Sequence, residues 1–203
     1  MNKNTGHVIT LAYHEQLNMH QSPFQQAREK YRPSHPKVLF ITEAPPTVER
    51  NRYFYYEHVR RGDSLFLETI KVLFPEEVKA FESVKQIRAE KSYFLERLQE
   101  EGYFLTNAVE TPLPGKTAAA RSRIYKEGLP ELIREILRVA KPKTVIVIIS
   151  AVVYRAIGKE LKASGFNLIQ EDIIEYPNSG QQLNFRRKLK PLLREHRLLP
   201  REI

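Results

Sequence analysis

The sequence predicts an α/β protein with a central four-stranded parallel sheet between two helical layers. Three observations lead there. Short apolar runs at 37–42, 103–106, 144–149 and within 166–174 lack the alternation of a half-exposed strand, which is how strands covered on both faces read. Helical segments separate every pair of runs, and parallel neighbours are joined by such crossovers, almost always right-handed. The chain has 203 residues, of which 41% are hydrophobic, enough for one domain with its own core.

The elements follow in order. Residues 1–20 show no clear periodicity and read as a loosely docked arm of the single domain 1–203. "SPFQQAREKY" is a short helix, with Ser22 as N-cap and Pro23 at its first position. The first strand stops at Glu43, and Pro45 and Pro46 stiffen the next step. Apolar residues at 65, 66, 67, 70, 72, 73 and 74 make a helix over 64–74, closed by Pro75. Further helix runs to Gly102, and the second strand breaks into a loop at Asn107. "PLPGKTAA" reads as a mobile loop. A helix over 129–140 precedes the third strand, another spans 151–163, and the fourth strand lies in 166–174. A last helix over 183–197 is expected to break or bend near Pro191.

Composition narrows the function. There is no cysteine, which excludes disulfides, thiolate zinc sites, cysteine nucleophiles and cysteine-held iron–sulfur clusters. No apolar run approaches a membrane span, and "MNKNTGHVIT" lacks a secretory pattern, so a cytoplasmic protein off the membrane is expected. The net charge is +9 with a pI near 9.7, which favours an anionic partner, nucleic acid first. The densest basic stretch is "FRRKLKPLLREHR", 185–197. No histidine pair has metal-ligand spacing with an acid. His14 and His20 lie in the arm, His35 lies at the wrong end of the first strand, and His58 follows an aromatic loop from which it could reach the rim. "PLPGKTAA" has Gly-Lys-Thr without the earlier glycine of a phosphate loop. Neither metal nor cofactor is expected.

In open parallel sheets, ligands bind beyond the carboxyl ends of the strands. Three distant segments fall there: Glu43-Ala-Pro-Pro, Asn107, and Tyr176-Pro-Asn-Ser. Here the residues resemble a known family. "VLFITEAPP" is similar to the first motif of the uracil-DNA glycosylase superfamily, where a strand ends in Gly-Glu-Ala-Pro-Gly. "YFLTNAVETPLP" resembles its second strand, which leads into an asparagine and a proline-containing loop. "LPELIREILRVAKPKTVIVIISAVVYRAIG" is similar to its helix, Lys-Pro-Lys turn, buried strand and next helix. "YPNSGQQLNFRRKLKPLL" stands where the family has His-Pro-Ser-Pro and a basic final helix. The match covers residues 36 to 195 in the family's order.

The resemblance implies a DNA glycosylase acting on a damaged base such as uracil, with DNA ahead of RNA as partner; a monomer is expected. The base is flipped out because its glycosidic bond is unreachable inside the stack. Glu43 matches the acid that positions water; its alternative is a salt bridge to Arg50 or Arg52. Phe54 matches the stacking aromatic, with Tyr53 as its substitute and core packing as its alternative. Asn107 matches the base-reading amide, or else bonds its own backbone. Ala44 and Pro45 border the base. Tyr176 takes the place of the catalytic histidine; it can donate one hydrogen bond but cannot be a cation. Lys116, Asn178, Ser179, Arg186 and Arg187 would meet phosphates, or simply line a solvated face, and the mobile loop would touch DNA through Lys116 and Arg121. Thr42 and Pro46 replace the motif's glycines, so the backbone approaches a ligand less closely. These departures keep two other readings open: a base- or nucleic-acid-binding module without catalysis, and a small-molecule protein alike in fold alone.

Overall fold

The computed structural model describes residues 22–178 and 180–201. The expected N-terminal arm, with His14 and His20, and Ser179 lie outside the described residues.

Helix α1 (Pro23–Lys30) opens the described chain with a capping box, Ser22 and Gln25 satisfying each other's backbone N–H groups. Strand β1 (Val38–Thr42) leads through a 3₁₀ turn at Val48–Arg50 to helix α2 (Ser64–Leu73). Where further helix was expected over 75–84 and 85–102, the chain makes three short helices: α3 (Pro75–Lys79), α4 (Val84–Ala89) and α5 (Lys91–Glu100). Ser83 starts α4 afresh with a second capping box, to Gln86. Gly102, at φ +78°, turns α5 into β2 (Tyr103–Asn107), and a Cβ there would crowd the Lys37 backbone nitrogen at 3.1 Å. Helices α6 (Ala118–Glu127) and α7 (Leu129–Val139) precede β3 (Val145–Ile149). Helix α8 (Ala151–Ala163) follows, and α9 (Gln182–Glu195) runs through Pro191 unbroken.

Among the described residues the sheet has three strands, in the order β2-β1-β3, all parallel. Every residue of the three is buried, as a sheet covered on both faces requires. The expected fourth strand is reduced to two isolated bridges, Leu168 with Ile146 and Ile174 with Ile149. The reason is Gln170, which is 1% exposed. Its side-chain amide accepts from the Ile148 N–H and donates to the Ile148 carbonyl, the latter at 3.0 Å. A side chain thus occupies the place of a strand's backbone ladder.

Helix α6 also corrects the reading of its region, where a mobile loop was expected to run through Ala118 and Ala119. Thr117 caps it by accepting from the Ala120 N–H at 3.2 Å, and three successive alanines are the best helix formers. Only Tyr125 of α6 is buried, so apolar periodicity was too weak to reveal it. Helix α6 packs on α8, and α9 packs on α2. Strand β1 sits centrally, and its two neighbours are reached by crossovers in opposite directions. That arrangement opens a crevice at the carboxyl ends.

Candidate functional site

A cavity of about 500 Å³ lies in that crevice. It is lined from β1 and its loop by Glu43, Ala44 and Pro45, and from the aromatic loop by Phe54. Asn107 lines it from the end of β2, and Tyr176 and Asn178 from the segment before α9. Three turns far apart in sequence therefore meet around one space.

Glu43 is held from two sides. Ser150 Oγ donates to its Oε1 at 2.8 Å, and Arg121 Nη1 donates to its Oε2 at 2.5 Å. Its partner is thus neither Arg50 nor Arg52, and Arg121 points to the carboxylate rather than from a loop toward DNA. Ser150 also accepts from the N–H groups of Val152 and Val153, capping α8. One hydroxyl therefore ties the acid to the end of β3. The carboxylate keeps further lone-pair directions open, and it borders the cavity half-buried.

Asn107 is buried, and its amide is oriented. Nδ2 donates to the Glu43 carbonyl at 2.6 Å, and Oδ1 accepts from the Tyr53 hydroxyl at 3.1 Å. One N–H and one lone pair are left for a ligand. The positive charge of Arg28 also acts on the Tyr53 hydroxyl, favouring loss of its proton. Arg28 is 1% exposed and bonds Thr106 Oγ1 at 3.1 Å, Glu110 at 2.7 Å and Glu135 at 3.2 Å. Burial pushes the Tyr53 hydroxyl well above its ordinary pKa, keeping it a donor.

The aromatic loop divides. Tyr53 and Tyr55 are buried in the core, and Tyr55 bonds the backbone of Leu105. Phe54 belongs to both settings: it packs edge-on against Phe66, with centroids 5.8 Å apart, and it borders the cavity. Tyr176 is half-buried. Its hydroxyl is pushed up to about 12 by burial first, then by the Glu43 carboxylate, while Arg52 opposes the shift. At neutral pH it is a neutral donor.

The remaining expected residues lie outside the lining. Lys116 and Arg187 are exposed, and Arg186 is paired with Glu68 at 2.9 Å. His58 is exposed and does not line the cavity, so it does not reach the rim as the sequence allowed. Among the described residues no group of three or more His, Cys, Asp or Glu side chains could hold a metal ion. No described helix is long and apolar enough to cross a membrane.

Sequence reasoning missed Ser150 and Tyr125, and it placed Arg52 and Arg121 in other settings than the cavity lining where they stand. Ser150 was findable, because it follows the third strand just as Glu43 follows the first. Tyr125, whose oxygen lies 3.5 Å from the Ala44 nitrogen, sits on the helix that the sequence hid.

The model of the Uracil DNA glycosylase superfamily matches residues 29–197. That range contains all three turns around the cavity. No curated protein matches the chain.

Proposed function

The chain belongs to the uracil DNA glycosylase superfamily, and from that premise we propose that it hydrolyses the N-glycosidic bond of a damaged base, such as uracil, flipped out of DNA. One observation carries the reading: Glu43, Phe54, Asn107 and Tyr176 border a single cavity of about 500 Å³. That volume suits a small planar ligand.

In this mechanism the ring face of Phe54 supports the base, as an aromatic surface does for about 1–3 kcal/mol per stacked base. The free N–H and lone pair of Asn107 pair with its edge. Glu43, oriented by Ser150 and Arg121, holds a water and accepts its proton as the oxygen meets the sugar carbon. The carbon–nitrogen bond breaks, and its electron pair leaves with the base. The Tyr176 hydroxyl donates a hydrogen bond to that base. Lys116, Asn178, Ser179, Arg186 and Arg187 serve the phosphates. The protein acts as one domain and a monomer, in the cytoplasm, without metal or cofactor.

A second reading is favoured by the 2.5 Å pairing of Glu43 with Arg121: a module that holds a base without cleaving. Base-release assays on single strands and duplexes carrying uracil or hypoxanthine, beside Glu43→Gln, decide between them. The enzyme releases a base, and the variant loses at least about 10²-fold in rate. Salt-sensitive binding without release from any substrate would leave only the module.

A further inference from the structure

Three arginines border the cavity: Arg50, Arg52 and Arg121. Their charges are not equivalent. Arg121 is committed to Glu43. Arg50 is exposed at the end of the 3₁₀ turn. Arg52 is half-buried and makes no ion pair among the described residues. Its stem lies against Gly62, where a Cβ would stand 3.0 Å from Arg52 Cδ and 3.3 Å from Nη1. Gly62, at φ +81°, thus leaves the room that the side chain fills.

The anions of the cavity already have cations. Glu43 has Arg121. Asp63, also on the lining, is buried against Arg88 at 2.7 Å and faces Lys91 at 3.9 Å. Besides the exposed Arg50, what remains is one half-buried positive charge without an ion pair among the described residues, Arg52, and that charge opposes the rise in the Tyr176 pKa. A half-buried cation without a partner, in a concave site, is a demand for an anionic ligand.

We propose that Arg52 is the cation that takes up negative charge on the ring of the ligand, making the cavity selective for anionic heterocycles over neutral ones. The catalytic consequence rests on the glycosylase reading. When the carbon–nitrogen bond breaks heterolytically, the electron pair spreads over the ring nitrogen and carbonyl oxygens of the departing base. Arg52 donates to those oxygens. Tyr176 adds a neutral hydrogen bond but no charge, so the electrostatic stabilisation of the leaving group comes from the loop after β1 rather than from the segment before α9.

Titration with free ligands tests the charge without requiring catalysis. Uracil and the barbiturate anion have similar rings and differ in charge at neutral pH. The wild-type protein binds barbiturate about tenfold more tightly, as one modest charge interaction gives. Arg52→Gln brings the ratio to near one, chiefly by weakening barbiturate, Arg52→Lys restores part of it, and inorganic phosphate does not displace barbiturate. Equal affinities in the wild type, a preference that survives Arg52→Gln, or displacement by phosphate through Arg52 would each overturn the proposal. In single-turnover hydrolysis Arg52→Gln lowers the rate about 10²-fold with substrate binding retained. If the wild type releases no base, the glycosylase reading falls while the titration still decides the role of Arg52.

Discussion

Replacing Tyr53 with Phe tests whether the site is preorganised from the core. The ring keeps its edge contact with Phe24, centroids 5.0 Å apart, so the packing is conserved. Only the hydroxyl that donates to Asn107 Oδ1 at 3.1 Å is lost. A neutral buried hydrogen bond contributes about 1 kcal/mol. Asn107 is 4% exposed, so its orphaned acceptor adds about 1 kcal/mol of unrecovered desolvation. The expected loss is about 2 kcal/mol, or about 4–8 °C in Tm for a chain of this size. Urea unfolding should show a lower midpoint with an unchanged slope. A double-mutant cycle with Asn107→Ala isolates the contact, since Asn107 also bonds the Glu43 carbonyl. A coupling of about 1–2 kcal/mol is expected, and a value within about 0.3 kcal/mol of zero would refute the relay from Tyr53 to Asn107.

Arg28→Met should cost about 3 kcal/mol in thermal unfolding, near the low end for a broken buried pair, because Glu110 and Glu135 are 34% and 19% exposed and can rehydrate. Lys91 is fully buried, and burial pulls its pKa down from 10.5 to about 8. Between those values the unfolded chain binds more protons than the folded one, so stability should rise with pH from 8 toward 10, by at most about 3 kcal/mol. Above 10 the trend reverses, because Tyr53, Tyr55 and Tyr103 hold their protons in the fold after the unfolded chain has lost them. Denaturant unfolding across that pH range should show the maximum, and Lys91→Met should remove the rising limb. Arg187→Gln should reduce the slope of log affinity for DNA against log salt by about 1. Arg186→Gln should change that slope less, since Glu68 already holds its guanidinium at 2.9 Å.

What was legible in the sequence was what periodicity and chain order encode. β1, β2 and β3 are uninterrupted apolar runs, and each formed where its run stands. The fourth run was misread because 166–174 holds an apolar start and end around Gln170, Glu171 and Asp172. A run count sees a strand there, but a buried glutamine that mimics backbone pairing can be seen only once Ile148 is placed opposite it. Helix α6 was hidden for a different reason: its one buried side chain leaves no 3.6-residue stripe, so Thr117 and the alanines had to announce it alone. At the site, the strand-end rule pointed to Glu43 and Asn107, and both residues border the cavity. The partner of Glu43 was not legible, because Arg121 lies 78 residues away on that hidden helix.

The departures from the family's motif share one physical direction. A glycine beside a catalytic acid lets the backbone itself approach a ligand and offer an N–H. Here Thr42 stands in the first glycine's place, and its Oγ1 donates to the Ile149 carbonyl at 3.2 Å, binding β1 to β3 instead. Pro46, in the second place, borders the cavity with no N–H to give. On the proposed glycosylase reading, recognition shifts from main chain to side chains: the oriented amide of Asn107, the neutral hydroxyl of Tyr176 and the unpaired guanidinium of Arg52. Backbone donors survive most substitutions, whereas side-chain donors do not. Single replacements at these three positions should thus alter ligand choice more sharply than any change in the Pro45–Pro46 step that preserves its conformation.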